Sequence, residues 1–559
     1  MVGRVLTLIN QEVRGLHEAA YLLGLFAILS QVLALVRDRL LAASFGAGST
    51  LDVYYAAFRI PDVIFVGIAS IVSVYVLIPF LAEKEAISKN AEREFLSHVF
   101  SAFTLAITVV SIAVFLAIPW LSKMLFPGFL GTPLYDELVL LTRILLLQPL
   151  LLGISNLFGS VTQTRQRFIL YALSPILYNV GIVFGVLFLY PIYGIMGLGF
   201  GVILGALFHL AIQLPFIILS GSMPHFTPRI FHLDVKRVVL LSLPRTLGLS
   251  AHQIALLVLV SLASSMAVGS ITVFNFAFNL QSVPFAIIGI SYSVAAFPTL
   301  ARLFSNGERS KFLEHILLAV RHIIFWSLPA IAFFVVLRAQ IVRVILGTGS
   351  FDWVDTRLTA AALALFIFSL VAQGIVLLFV RGYYAAGNTI KPLIANTLSA
   401  VLAVIFALAL LRWFEASVTF RFFIESLLRV EDLPGTAVLM LPLGYSLALI
   451  LNAIALWFIF MHDFDPPFRP LVRTLTHSFV AATVLGIVAH QALDIFDDTF
   501  DINTFLGIFL QGFLAGVLGI LAAIAILVIL GNSEVKEAWQ TLHRKFWKRS
   551  AIAPPLEEL

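Results

Sequence analysis

The chain has 559 residues, of which 60% are hydrophobic and 12% are charged, and its mean hydropathy is +1.03. Because soluble domains carry about 25% charged residues, this composition excludes a water-soluble globular protein of this size. The excess of 35 basic over 30 acidic residues is small and scattered, which excludes a nucleic-acid-binding protein. The sequence contains no cysteine, so disulfides, thiolate metal sites and cysteine nucleophiles are excluded as well.

Apolar segments long enough to cross a bilayer, about 20 residues each, recur along nearly the whole chain. They are too long for barrel strands, which alternate over about 10 residues. Helices satisfy their own backbone hydrogen bonds in lipid, so we predict an all-α polytopic membrane protein with about fourteen transmembrane helices. The predicted spans are 18–44, 51–83, 93–121, 134–163, 168–190, 194–219, 237–264, 270–301, 312–337, 356–386, 392–411, 439–461, 471–491 and 502–530.

Three segments outside the spans predict further structural features. Residues 1–17 lack a signal-peptide cleavage site and predict an amphipathic helix on the membrane surface. The long outer loop 412–438 predicts an interfacial helix from Phe422 to Val430, ended by Pro434-Gly435. The tail 532–559 is basic, and its residues 544–549 suit anionic headgroups of the cytoplasmic leaflet.

Positive charge predicts the orientation. With the N-terminus in the cytoplasm, the inner segments carry 21 of the basic residues and the outer segments carry 7. Cytoplasmic loops are the ones enriched in Lys and Arg, so this ratio predicts an even number of spans with both termini in the cytoplasm.

An internal repeat relates the two halves of the chain. Ala57-Phe58-Arg59-Ile60 in the second span matches Ala277-Phe278-Asn279-Leu280 in the eighth, and Pro79 and Pro298 begin a second matching pair. We therefore predict two six-helix lobes with the substrate site between them. The predicted division is an N-lobe at 18–219, a C-lobe at 220–461 that includes the outer loop, two C-terminal helices at 462–531, and the tail.

Polar residues form stripes on four of the spans. A charge at the bilayer centre costs about 2.5 kcal/mol or more, so each needs a partner, a wet cavity or the interface. The stripes predict a hydrophilic cavity with a cationic bias, although Arg37 can instead snorkel to the interface and Arg59 can instead lock two helices together. The stripe residues are Gln31 with Asp38, Ser30 with Arg37, Asp52 with Arg59 and Asp62, Arg245 with His252, and Asn275 with Asn279 and Ser282.

The segment 36–62 resembles the opening of the MurJ/MviN family of lipid II flippases, in the multidrug/oligosaccharidyl-lipid/polysaccharide exporter superfamily. The residues that carry the resemblance are Arg37-Asp38, Phe45-Gly46-Ala47-Gly48, Asp52 and Arg59-Ile60-Pro61. Charged positions of the family pattern on three of the spans are neutral here. Gln31 and Asn279 each replace an Arg, and Phe65, Val66 and Ser70 replace a basic pair and a Glu. We expect Arg245 to replace the cation lost at Asn279.

The resemblance implies a transporter and not an enzyme, and the chain has no Walker loop, HExxH or GxSxG motif. It implies that a polyprenyl-pyrophosphate-linked glycan, most simply lipid II of peptidoglycan biosynthesis, is flipped from the inner to the outer leaflet by alternating access. The expected substrate site consists of Arg37, Asp38, Asp52, Arg59, Arg245, Asn279 and Gln31.

The resemblance also implies a monomer in the cell inner membrane, in contact with membrane lipids and the cell-wall synthesis machinery. No cofactor is implied, and sodium or the membrane potential would supply the energy. The lipid tail would lie in a groove formed with the last two spans. Three alternatives stay open: a flippase for another lipid-linked oligosaccharide, a non-transporting membrane scaffold with the same fold, and a drug/cation antiporter of the same superfamily.

Overall fold

The computed structural model describes residues 16–72, 74–465, 469–501 and 504–537. The described residues form helices and loops without a β-strand, which confirms the all-α class. The predicted basic patch at 544–549 and nearly all of the amphipathic segment 1–17 lie outside the described residues.

The described helices follow one another with short connections. Three of them continue into π-helical turns, at Phe65–Ala69, Gly185–Leu189 and Ala286–Ile290. The α-helices are α1 (Leu16–Phe45), α2 (Ser49–Ile64), α3 (Val74–Ile87), α4 (Lys89–Leu125), α5 (Leu134–Leu145), α6 (Leu147–Thr164), α7 (Phe168–Phe184), α8 (Tyr190–Tyr193), α9 (Ile195–Ala211), α10 (Leu214–Leu219), α11 (Leu233–Ser264), α12 (Ser270–Phe285), α13 (Ser291–Ser305), α14 (Arg309–Val336), α15 (Arg338–Leu346), α16 (Trp353–Ile367), α17 (Leu370–Ala385), α18 (Ile390–Ala416), α19 (Val418–Leu428), α20 (Met440–Phe464), α21 (Arg469–Asp497) and α22 (Phe505–Ile529).

Helical structure occurs at each of the fourteen predicted spans. Within the described residues, 11 helices are long and apolar enough to cross a membrane, or 12 if the pair α16 and α17, bent by 43°, is one span. A polytopic helical membrane protein is therefore confirmed, whereas the count of fourteen is not.

The repeat is visible in the helices themselves. Helix α2 has 16 residues and continues into the π-helical turn Phe65–Ala69. Helix α12 also has 16 residues, begins 221 positions later, and continues into the π-helical turn Ala286–Ile290. Isolated π-helical turns are uncommon and often lie at functional sites, so their recurrence at matching positions supports the repeat.

Tertiary contacts divide the described helices into two units. Unit 1 takes in the described parts of Met1–Leu280, together with Ile345–Ala362 and Thr389–Ala448. Unit 2 takes in Gln281–Val344, Leu363–Asn388 and the described parts of Leu449–Leu559.

Within unit 1, glycines let α7 and α9 pack with their backbones in contact. A Cβ added at Gly181 would lie 2.3 Å from the Cα of Gly205, and one at Gly185 would lie 2.5 Å from the Cα of Gly201. Small residues at such spacing allow membrane helices to approach closely, and here only glycine fits. This contact fixes α7, which carries two residues of the site described below.

Within unit 2, helices α14, α21 and α22 share an apolar core. It is built from Phe325, Ala481, Leu485, Ala489, Ala523 and Leu527, each of them buried. Alanine on the facing sides lets these helices approach closely.

The outer loop contains a helix, but its bounds differ from the prediction of Phe422 to Val430. Helix α19 begins after Ser417, whose side chain accepts a hydrogen bond from the N–H of Phe420 at 3.2 Å. It ends at Leu428 because Arg429 adopts a left-handed conformation with φ +60°. A local cap and a left-handed residue therefore set the ends, and Pro434-Gly435 lies beyond them.

Candidate functional site

A polar cavity of about 300 Å³ lies within unit 1. Helices α1, α2, α6, α7, α11 and α12 line it. The lining residues are Arg37, Leu41, Tyr54, Tyr55, Phe58, Arg59, Asp62, Gln148, Tyr178, Ile182, Gln253, Leu256, Asn275, Phe278 and Asn279. The cavity therefore brings together part of the polar stripes predicted on α1, α2 and α12, with additional polar residues from α6, α7 and α11.

Arg37 is held by three hydrogen bonds. Its Nε and Nη2 donate to Oδ1 of Asp38 at 2.9 and 2.8 Å, and its Nη1 donates to Oδ1 of Asn179 at 2.9 Å. The second oxygen of Asp38 accepts from Nδ2 of Asn279 at 3.0 Å. Asp38 is 3% exposed, so this is a buried ion pair with its remaining acceptor satisfied by an amide.

Arg59 is held less completely. It donates to Oδ1 of Asn275, whose own Nδ2 donates to the carbonyl of Ile271 at 2.7 Å and so orients the amide. The Nε of Arg59 is buried and has no hydrogen-bond partner among the described residues. Asp62, one turn further along α2, is the single carboxylate among the residues that line the described cavity. Arg59 is thus a cation of the cavity wall whose Nε can still donate a hydrogen bond to a ligand.

Two further groups of the cavity wall also lack partners. The Tyr55 hydroxyl and Oε1 of Gln148 are buried and form no hydrogen bond within the part of the chain that the structure describes. Nε2 of Gln148 donates to the hydroxyl of Tyr178 at 3.2 Å. Buried polar groups without partners cost free energy, so they mark a place that a polar ligand or water fills.

Asp52 lies outside the lining of the cavity and contacts the start of α12. It is 5% exposed. Its carboxylate accepts from the N–H of Gly269 at 2.6 Å, and from the N–H and hydroxyl of Thr272 at 2.8 and 2.7 Å. These donors are the first turn of α12, which an acidic group stabilises. Asp52 therefore caps α12 in this structure, and its role as a substrate ligand stays a prediction.

The Phe45-Gly46-Ala47-Gly48 motif forms the turn between α1 and α2. Gly46 has φ +62°, and a Cβ there would lie 2.6 Å from the carbonyl oxygen of Ser350. The N–H of Ala47 donates to Oδ2 of Asp355 at 2.9 Å. A glycine is required at position 46 both for its conformation and for space, and the motif therefore secures the end of α1 that carries Arg37.

Arg245 and Gln31 do not line the cavity. Arg245 lies eight residues before Gln253 on α11, which is about 12 Å along a helix that rises 1.5 Å per residue. Arg245 is therefore not among the residues that line this cavity, and its role as a replacement for the lost cation stays a prediction. Its neighbour Thr246 instead forms a hydrogen bond with the hydroxyl of Ser70 at 2.8 Å.

Sequence reasoning missed Asn179, Tyr178 and Gln148. Asn179 anchors Arg37 from 142 residues away, and its own Nδ2 donates to the carbonyl of Pro175 at 3.0 Å. The signal was present, since Tyr178-Asn179 is a polar pair inside an apolar span.

Unit 2 contains an apolar groove of about 740 Å³. Helices α14, α17, α20 and α21 supply most of its wall, with Trp457, Phe458 and Phe479 among its aromatic residues and Thr483 as its one hydroxyl. The next-to-last predicted span contributes to this groove, whereas the last span contributes none of its lining residues.

The profile of the family described as Lipid II flippase MurJ matches residues 41–511. The chain belongs to the MurJ family. It is 27% identical over 392 residues to the probable lipid II flippase MurJ of Rickettsia prowazekii, which covers 69% of this chain and 76% of that one. It is 23% identical to the corresponding protein of Rhizobium meliloti, over 83% of this chain and 84% of that one.

Solved structures agree on the fold. A lipid II flippase MurJ in an inward closed conformation superposes with a TM-score of 0.70 at 22% identity, over 89% of this chain and 98% of that one. An inward-facing multidrug resistance transporter of the MATE family gives a TM-score of 0.63 at 16% identity, over 78% and 94%. The chain is therefore a multi-pass membrane transporter of the MurJ family and not an enzyme.

Proposed function

We propose that this protein flips lipid II from the inner to the outer leaflet. Its MurJ relatives are named lipid II flippase or probable lipid II flippase. The observation that carries the proposal is the buried cavity of unit 1, where Arg59 keeps an unpartnered Nε. A diphosphate cannot cross hydrocarbon bare, because a charge removed from water without a partner is very costly. A flippase for a pyrophosphate lipid therefore needs buried cations in a polar path.

Arg37 and Arg59 have different roles in the proposed site. Arg37 already donates three hydrogen bonds to Asp38 and Asn179, so its role is to hold α1 and α7 together in the cavity wall. Arg59 has one partner and a free donor, so it is the first cation that a diphosphate meets, through charge-assisted hydrogen bonds. The hydroxyl of Tyr55 provides a further donor within the same cavity.

The remaining parts of the proposal follow from the resemblance. The groove of unit 2 suits a polyprenyl chain, because its wall is almost wholly apolar. Alternating access would expose the cavity first to the inner and then to the outer leaflet, with both termini in the cytoplasm. The protein would act as a monomer in the cell inner membrane, beside the cell-wall synthesis machinery, driven by sodium or the membrane potential without a bound cofactor.

Native mass spectrometry of the detergent-purified protein tests the substrate. The lipids compared are lipid II, undecaprenyl pyrophosphate and undecaprenol, each with the wild type, Arg59→Ala and Arg245→Ala. We expect the wild type and Arg245→Ala to prefer lipid II over undecaprenol, and Arg59→Ala to lose about tenfold or more of that preference, the value of one charge-assisted hydrogen bond.

A wild type without preference for either pyrophosphate lipid over undecaprenol would overturn the proposal and favour a scaffold. Equal binding of lipid II and undecaprenyl pyrophosphate would favour a flippase for another lipid-linked oligosaccharide. That second candidate rests on the neutral residues Gln31, Phe65 and Asn279 at positions where the family pattern is charged.

A further inference from the structure

The formal charge of the cavity and its attached ion pair is zero. Arg37 and Arg59 contribute two positive charges, and Asp62 with the attached Asp38 contributes two negative charges. A diphosphate entering this site would add negative charge to a buried region that has no surplus of cations. Such an uncompensated buried charge is strongly unfavourable, so headgroup binding requires a second event that restores the balance.

The carboxylates near the cavity differ in how they are held. Asp38 accepts from Arg37 and Asn279, and Asp52 accepts from Gly269 and Thr272. Protonating either of them would cost hydrogen bonds that the charged form makes. Asp62, in contrast, accepts no hydrogen bond from any residue that the structure describes, while it lines the cavity directly.

The groups around Asp62 do not offer a better site for a proton. The walls contributed by α6 and α12 carry amides, at Gln148, Asn275 and Asn279. The titratable or charged groups on the other elements are Arg59, Tyr54 and Tyr55 on α2, Arg37 and Asp38 on α1, Tyr178 on α7 and His252 on α11. The arginines are already protonated, and the tyrosine hydroxyls are neutral at physiological pH. His252 is not among the residues that line the cavity, whereas Asp62 is.

We propose that Asp62 is a proton-binding site that couples the lipid headgroup to one proton: ionised in the empty cavity, and protonated when the diphosphate is bound. This inference rests on the proposed function. The proton comes from water in the open cavity, binds a carboxylate oxygen of Asp62, and returns to water when the headgroup leaves. A neutral Asp62 leaves Arg59 unopposed, so the cavity then carries one surplus positive charge for the diphosphate.

The linkage has a definite sign. If one proton is taken up with the headgroup, affinity falls as pH rises, by up to about tenfold per pH unit where the empty site is ionised. Asp62→Asn keeps the size of the side chain and fixes it in the neutral state. The variant should therefore bind lipid II at neutral pH at least as tightly as the wild type, and lose the additional pH dependence.

The test is an equilibrium titration of the full-length protein in detergent with lipid II, from about pH 6 to about pH 9, in sodium and in potassium buffers. The proteins are the wild type, Asp62→Asn and His252→Gln. The phosphates of the lipid titrate equally in all three experiments. A difference between wild type and variant in the slope of lipid II affinity against pH therefore reports the titrating group of the protein. We expect the affinity for lipid II to fall more steeply with rising pH in the wild type and His252→Gln than in Asp62→Asn.

Equal slopes for the wild type and Asp62→Asn, with selective lipid II binding in both, would overturn the proton site and leave the proposed function standing. If His252→Gln, and not Asp62→Asn, lost the additional pH dependence of lipid II affinity, the proton would belong to the imidazole and the proposal would be overturned. Affinity that depends on sodium and not on pH, and loses that dependence in Asp62→Asn, would make the carboxylate a sodium site and also overturn it. A wild type without preference for lipid II over undecaprenol would overturn both proposals.

Discussion

Asp38 and Asn279 are 241 residues apart in the chain, yet the Asn279 amide donates to the Asp38 carboxylate at 3.0 Å. Asn279 stands where the family pattern has an arginine, so an amide here meets a carboxylate that a guanidinium would pair with more strongly. The contact therefore links the first polar stripe to the eighth predicted span while adding no charge to the cavity.

Asn279→Arg should strengthen binding of undecaprenyl pyrophosphate by about tenfold, because it gives the cavity a third cation beside Asp38. Titration of the purified protein in detergent measures this, with Asn279→Gln as the uncharged control of similar length. Weaker binding by a folded Asn279→Arg protein would show that the added charge does not reach the headgroup.

Asp52→Ala should destabilise the folded protein by about 2 kcal/mol or more, because three donors at the start of α12 lose a charged acceptor. Asp52→Asn keeps one acceptor oxygen and should cost less. Thermal unfolding in detergent gives the order of the two variants. If Asp52→Ala were as stable as the wild type but bound lipid II poorly, Asp52 would be a substrate ligand after all.

Gly205→Ala should displace α7, because its Cβ would lie 2.3 Å from the carbonyl oxygen of Tyr178. Since α7 also carries Asn179, the partner of Arg37, we expect both a lower melting temperature and weaker binding of pyrophosphate lipids. Gly24→Ala is the matched control, because a Cβ there meets no atom within 4 Å. Equal melting temperatures for the two variants would contradict the close packing of α7 and α9.

The carboxylate of Glu534 makes the stability of unit 2 depend on pH. Its carboxylate accepts hydrogen bonds from Arg321 Nη2 at 2.7 Å and from the Thr474 hydroxyl at 2.6 Å. Burial raises the pKa of Glu534, but the hydrogen bonds from Thr474 and Arg321 outweigh it and lower the pKa from its ordinary 4.5 to about 2. A depressed pKa stabilises the folded state above pH 4.5, and this contribution is lost as the pH falls towards 2.

We therefore expect the melting temperature of the wild type to fall more steeply than that of Glu534→Gln between pH 5 and pH 3. The variant should be the less stable protein at pH 7, and the two curves should converge in acid. Parallel curves would contradict the network around Arg321.

The salt bridge between Lys84 of α3 and Asp234 of α11, at 2.9 Å, holds two helices of unit 1 together. Lys84→Glu places two like charges in contact and should weaken this contact, which cross-linking of cysteines introduced in α3 and α11 would report. The exchange Lys84→Glu with Asp234→Lys should restore it. Failure of the double variant to recover, while it remains folded, would show that the pair does not set the spacing of the helices.

The fold was largely predictable because hydrophobic length and helical periodicity are local properties. Each predicted span coincides with helical structure, and the Gly46 turn follows from a motif whose backbone needs a glycine. The ends of α19 were less predictable, since they depend on a cap at Ser417 and a left-handed Arg429.

The site was predictable in its residue types but not in their pairing. A seven-residue spacing identifies a helix face, and Arg37 and Arg59 do line the cavity. The spacing says nothing of depth along the helix axis, and Arg245 lies outside the lining. The partners Asn179 of Arg37 and Gly269 of Asp52 lie 142 and 217 residues away, where no local pattern indicates contact.

The most direct test of the account is transport of lipid II in proteoliposomes that contain the purified protein. Fluorescent lipid II is placed in both leaflets, and a membrane-impermeant quencher reports the exchange between them for the wild type, Arg59→Ala and Arg245→Ala. We expect exchange by the wild type and Arg245→Ala and its loss in Arg59→Ala, with all three proteins folded. Exchange at the wild-type rate by Arg59→Ala, or none by a folded wild type, would contradict it.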